Sequence, residues 1–121
     1  MSKTAVILDD SSSMRDIVSY TLQQGGFQVL TAENGQEGLK HLDGRPVSII
    51  ITDLNMPVMD GISFIREARA RNAYRATPIL MLTTESQDAK KAEGKAAGAT
   101  GWIVKPVDPQ KLLQVVAKVL P

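Results

Sequence analysis

A chain of 121 residues is enough for one domain with a single core, in which roughly two-thirds of the unfolded surface becomes buried. Fourteen basic against thirteen acidic side chains leave a net charge of +1, which excludes the strong fields that hold nucleic acid or an anionic membrane. The absence of cysteine excludes disulfides, thiolate metal sites and cysteine nucleophiles and fits a reducing, cytoplasmic setting; the apolar run in MSKTAVILDD is too short for a signal peptide or a membrane span.

The first expected strand, residues 4–9, leads into a helix on which Met14, Ile17, Val18, Thr21 and Leu22 recur at helical spacing. The second strand, 27–32, opens with Phe27, assigned to packing. It is followed by GQEGLKHLD, a helix with Leu39 and Leu42 inward and His41 expected to be exposed on its polar side. The third strand, 48–53, ends in a turn where Met56 and Met59 are expected to pack or to cover the strand end. Asp60 and Gly61 read as a turn and cap for a helix carrying Ile62, Phe64, Ile65 and Ala68.

The fourth strand spans 78–83. The helix after it, DAKKAEGKAA, has no apolar residue larger than Ala and carries Gly94 inside, at a cost of about 1 kcal/mol relative to Ala, so loose docking and mobility are expected. Its Lys90, Lys91 and Lys95 read either as a solvated face or as a docking surface for an acidic partner. A fifth strand, 100–104, precedes a helix with Asp108 as N-cap, Pro109 at its first position, and Leu112, Leu113, Val116, Val119 and Leu120 inward. The strands are apolar without solvent-facing alternation, and they alternate with helices five times. That pattern predicts an α/β parallel sheet covered on both faces.

Open parallel sheets bind ligands beyond the carboxyl ends of their strands, where strand order reverses. At those ends lie Asp9 and Asp10 after the first strand, Asp53 after the third, Thr83, Thr84 and Glu85 after the fourth, and Lys105 with Pro106 after the fifth. If the first and third strands are neighbours, each carboxylate pair at 4 Å repels by about 4 kcal/mol at an effective dielectric of 20. Lys105 can offset one charge, and a hard divalent cation with oxygen ligands, magnesium rather than zinc, suits the rest. Acids holding a metal beside a lysine and a threonine hydroxyl are equipment for phosphoryl transfer, and one of the carboxylates can itself accept the group as an acyl phosphate.

The acid pair after the first strand, the Asp followed by LNMPVMDG after the third, the Thr after the fourth and the Lys-Pro after the fifth resemble the receiver domain of two-component response regulators. Within that family the chain is most similar to the stand-alone chemotaxis receivers of the CheY type. The resemblance runs from residue 4 to residue 120. It implies a flavodoxin-like, doubly wound, five-stranded parallel sheet of order 2-1-3-4-5 with five helices, and one receiver domain over residues 1–121 without an output domain.

It further implies that Asp53 is the phosphoryl acceptor. Asp10, Asp53 and the backbone carbonyl of Asn55 would ligate Mg2+ directly, with Asp9 acting mainly through water. Thr83 would bond the incoming group and Lys105 would pair with its oxygens. Asn55 and Glu85 stand where the family tunes phosphoryl lifetime, and Trp102 stands where it often has a Tyr or Phe whose rotamer reports phosphorylation. A cis Lys105-Pro106 bond is implied as well.

The function so implied is a monomeric signalling switch and not an enzyme, although it assists its own phosphorylation and dephosphorylation. A histidine kinase is the donor. The output is altered binding, through the face of the fourth helix, fifth strand and fifth helix, to a target such as a flagellar motor switch or kinase component; a phosphatase is a further partner. A phosphate sink and a phosphorelay intermediate are alternatives. An Asp-nucleophile phosphohydrolase is disfavoured, because position 55 holds Asn where such enzymes carry an acid/base Asp.

Overall fold

Val, Ile and Leu runs with both faces buried build the centre of the molecule. A computed structural model of the chain describes residues 3–84 and 87–120. Strands β1 (Lys3–Leu8), β2 (Phe27–Ala32), β3 (Ile49–Asp53), β4 (Ile79–Thr83) and β5 (Gly101–Val104) alternate with α1 (Ser12–Gln24), α2 (Gly35–His41), α3 (Gly61–Ala70), α4 (Asp88–Ala97) and α5 (Pro109–Val119). The strands pair in parallel in the order β2-β1-β3-β4-β5, as the resemblance implies.

Strand residues alternate between two cores. Ala5, Ile7, Ile49, Ile51, Leu80, Leu82 and Ile103 meet Val18 and Leu22 of α1 and Leu112 and Val116 of α5. Val6, Leu8, Ile50 and Met81 meet Ile62, Phe64, Ile65 and Ala68 of α3, with Leu42 at the end of α2. Each fully buried side chain of this kind favours folding by about 1.5–3 kcal/mol relative to exposure. Phe27 and Phe64 are core residues, as expected, and Met56 is buried among them.

Four helix starts follow from side-chain caps: Ser11, Asn34, Asp60 and Asp108 each accept a hydrogen bond from a first-turn N–H. The helix ends are therefore fixed locally, before any tertiary contact is counted.

Two sequence expectations are corrected, and a third is refined. Ile17 is 47% exposed, because the buried stripe of α1 is Val18, Thr21 and Leu22 and Ile17 lies about 100° round the helix from its centre. His41 is half-buried, and its Nε2 donates to the Thr31 carbonyl at 2.8 Å, tying the end of α2 to β2. Helix α4 buries only Gly94 of its ten residues, in keeping with its lack of large apolar side chains, yet at that one point it lies close against β4. Gly94 is its buried residue, and a Cβ there would overlap Met81 Sδ, so the glycine permits close approach to β4. Beyond the helix, Arg69 Nε donates to Gly98 O at 2.9 Å and Arg69 Nη1 to Tyr74 O at 2.7 Å and Thr77 O at 2.6 Å.

The turn after β3 holds a strained residue. Val58 has φ +70°, a conformation unfavourable for a β-branched side chain, within a tight turn closed by Met59 N donating to Pro57 O at 2.7 Å. Such strain costs on the order of 1–3 kcal/mol. Val58 is 75% exposed, so replacing it removes little packing. Val58→Asn is therefore expected to stabilise the protein by about 1 kcal/mol, raising Tm by about 4 °C. A scanning-calorimetry midpoint at or below that of the unaltered chain would show that the strain is compensated elsewhere.

Candidate functional site

Parallel register brings the acids together. Leu8 pairs with Thr52, so Asp9, one residue beyond β1, comes to lie beside Asp53 at the end of β3. Strand order reverses between β1 and β3, which makes this the switch point of the sheet. Asp53 pairs with Leu82 and Thr83 with Val104, placing Thr83 and Lys105 on the neighbouring strand ends. Lys105 is held there by its own backbone, whose N–H donates to Thr83 O at 2.6 Å, and the Lys105-Pro106 bond is cis.

One carboxylate oxygen from each of Asp9, Asp10 and Asp53 lies within 4.8 Å of the others. Asp9 is wholly buried, Asp53 is 6% exposed and Asp10 is open to solvent. Asp53 Oδ1 accepts from Lys105 Nζ at 3.1 Å and from Leu54 N at 2.8 Å. Both bonds fall on one oxygen, so neither occupies Oδ2. Lys105 Nζ is 3.9 Å from Asp9 Oδ2, an ion-pair distance but too long for a hydrogen bond. Asp9 Oδ2 is thus a buried oxygen with no hydrogen-bond partner among the described residues, and Thr83 Oγ1 is another.

Burial pushes the Asp9 carboxyl above its ordinary range. The Ser11 N–H, donating to Oδ1 at 2.9 Å, pulls it down; Asp53 raises it, Lys105 lowers it and Asp10 raises it. Losing water is thus the principal penalty for holding this group charged. A hard cation approached by Oδ2 through one of its water ligands would relieve both the orphaned oxygen and the repulsion, which is the fit expected of a magnesium site with oxygen ligands.

Asn55 is exposed in the loop that follows Asp53. Glu85 lies outside the described residues. Trp102 is 39% exposed, with its ring outward beneath two ammonium groups: Lys91 Nζ is 5.5 Å and Lys95 Nζ 5.3 Å from its centroid. Lys91 is therefore not part of a solvated face.

Arg15 escaped the reading of the sequence. Its Nη1 donates to Asp9 O at 2.6 Å, pinning the acidic loop to α1. A bond from a side chain to a backbone carbonyl six residues away leaves no pattern by which to find it. Ser11 stands between the acid pair and the helical period of α1, where a serine caps a helix. Its Oγ accepts from Met14 N while its own N–H steadies Asp9, so one residue starts the helix and orients an acid.

The profile of the response regulator receiver domain matches residues 5–117. Chemotaxis protein CheY1 of Helicobacter pylori (strain J99) is 40% identical over 117 residues, covering 95% of this chain and 94% of that protein. The chemotaxis response regulator CheY4 of Vibrio cholerae superposes with a TM-score of 0.93 at 48% identity, over 99% of this chain and 100% of that one. The receiver domain of sensor histidine kinase PA1611 from Pseudomonas aeruginosa, which has a magnesium ion coordinated in its active-site cleft, shares the fold with a TM-score of 0.89 over 98% of this chain and 97% of that one, at 22% identity. No helix among the described residues is long and apolar enough to cross a membrane. With the profile spanning nearly the whole chain and chemotaxis relatives of matching length, the chain belongs to the response regulator receiver domain family, among its CheY-type members.

Proposed function

We propose that Asp53 accepts a phosphoryl group from the phosphohistidine of a histidine kinase, or from a small phosphodonor, and that the acyl phosphate switches binding to a separate cytoplasmic protein. The observation that carries this reading is the buried Asp53 carboxylate, with Oδ1 fixed by Lys105 and Leu54 and Oδ2 left for in-line attack. Attack forms a P–O bond as the bond to the donor nitrogen breaks, and the imidazole leaves with the electron pair. Thr83, buried with a hydroxyl that has no hydrogen-bond partner among the described residues, donates to the arriving phosphoryl oxygens. Lys105, already 3.1 Å from Asp53 Oδ1, balances their charge.

Asp10, Asp53 and the Asn55 carbonyl would hold magnesium directly, with Asp9 behind a water molecule. When bound, the ion would neutralise the charge crowded at the acids and on the phosphoryl group. The phosphoryl group adds roughly −1.5 to −2 charges to this rim at neutral pH and draws Thr83 toward it. The altered surface is the α4-β5-α5 face, and its target is a chemotaxis component such as the flagellar motor switch or a kinase. Support comes from relatives that are themselves chemotaxis proteins and that the chain covers almost end to end. Asn55 and Glu85 set the lifetime of the acyl phosphate, and the whole chain, residues 1–121, works as one receiver domain.

Acetyl phosphate with magnesium is expected to phosphorylate the protein once, and metal removal by EDTA to prevent it. A related result is expected at Lys105. Lys105→Ala should keep the far-ultraviolet dichroism of the parent and slow phosphorylation by about a hundredfold. An unchanged rate would exclude Lys105 from the transfer step.

A further inference from the structure

The indole of Trp102 is held outward by a pair of lysines whose placement follows from the docking of α4. Met81 of β4 pairs across the sheet with Trp102 of β5. Gly94 sits directly on Met81, because only a residue without Cβ can approach its sulfur so closely. Lys91 and Lys95, three residues before and one after this contact, are thereby set beside Met81's cross-strand neighbour, and both ammonium groups reach the ring face at 5.5 and 5.3 Å. The Lys91 side chain is 18% exposed, with Nζ 3.4 Å from Asp88 Oδ1, so its position is fixed from the other side as well. The indole rests at 39% exposure while Thr83 Oγ1, on the neighbouring strand, is buried without a partner among the described residues.

We propose that Lys91 and Lys95 are positioning residues for the switch: they latch Trp102 in its outward arrangement, and their contacts with the ring set how readily the indole turns inward. The inference deepens the switch reading above. Each exposed cation–π contact is worth roughly a two- to fivefold change in population, so loss of both raises the inward population roughly five- to thirtyfold. Phosphorylation acts against this latch, and the resting protein is biased toward the outward state by the same factor.

Trp102 is the one tryptophan of the chain, so its emission reports this position alone. The test compares the full chain with the double variants Lys91→Ala/Lys95→Ala and Lys91→Arg/Lys95→Arg, in EDTA and without any phosphodonor, by emission maximum and acrylamide quenching. The alanine pair is expected to shift emission to the blue and to reduce quenching. The arginine pair, which keeps a cation over the ring, is expected to match the parent. Equal or increased quenching in the alanine pair would mean that the lysines only cover the ring and would overturn the latch, as would an arginine pair that behaves like alanine. Failure of Asp53 to take up phosphate would appear separately, with donor and magnesium present, and would leave these metal-free readings unchanged.

Discussion

Asp53→Asn is expected to abolish phosphoryl uptake under conditions in which the parent chain is modified, as read by mobility in a phosphate-affinity gel with acetyl phosphate and magnesium. The amide has nearly the size of the carboxylate and can still accept from Leu54 N, so the fold is expected to persist. It carries no charge to draw a cation and has no anionic oxygen to attack phosphorus. The whole effect thus falls on chemistry. A variant that still shifts in the gel would place the acceptor elsewhere, and Asp9 and Asp10 would then be tested in the same way.

Gly61→Ala is expected to cost about 3 kcal/mol of stability and to impair phosphorylation together with it. A Cβ at Gly61 would overlap the carbonyl oxygen of Asp53 and come within 2.9 Å of Leu54 Cα, and both are backbone atoms with no rotamer to yield. Gly61 N also donates to Leu54 O at 3.0 Å, so α3 begins against the peptide that follows the acceptor. Relief of the overlap must move either α3 or Asp53. Urea unfolding would measure the first consequence, and the rate of phosphoryl uptake in the still-folded protein the second. A loss below half a kcal/mol with a parental rate would mean that the two segments can part freely.

The coupling of fold to site explains what could be read in advance. Strand existence was legible because β1, β3 and β4 are buried on both faces and therefore carry unbroken apolar runs. The starts of α3 and α5 were legible because Asp60-Gly61 and Asp108-Pro109 are caps with local chemistry. Strand order was a different matter. Nothing in the periodicity states that β1 lies between β2 and β3, and the convergence of Asp9, Asp10 and Asp53 depends on that adjacency. The resemblance supplied the order, and the parallel register then carried Asp9 to Asp53.

Other features stayed hidden because nothing in the local pattern marks their partners. Gly94 looked like a defect in α4, since its justification is Met81 on another strand. Lys91 and Lys95 read as a solvated face or as a docking surface, since the ring they cover follows later in the chain. Arg15 offered no pattern because a backbone carbonyl, the same for every residue type, is its acceptor. Ile17 fits the helical period of α1 but falls at the margin of the stripe that α1 buries, a distinction of angle that periodicity alone does not resolve.

Intact-mass spectrometry of the parent chain after incubation with acetyl phosphate, with and without magnesium, tests the central claim most directly when followed by borohydride reduction and peptide mapping. The expected result is a single phosphoryl group, gained only with magnesium and lost in hydroxylamine, with the reduced acyl residue mapped to position 53. An unshifted mass with every donor tried, or a label mapped to a serine or threonine, would contradict it.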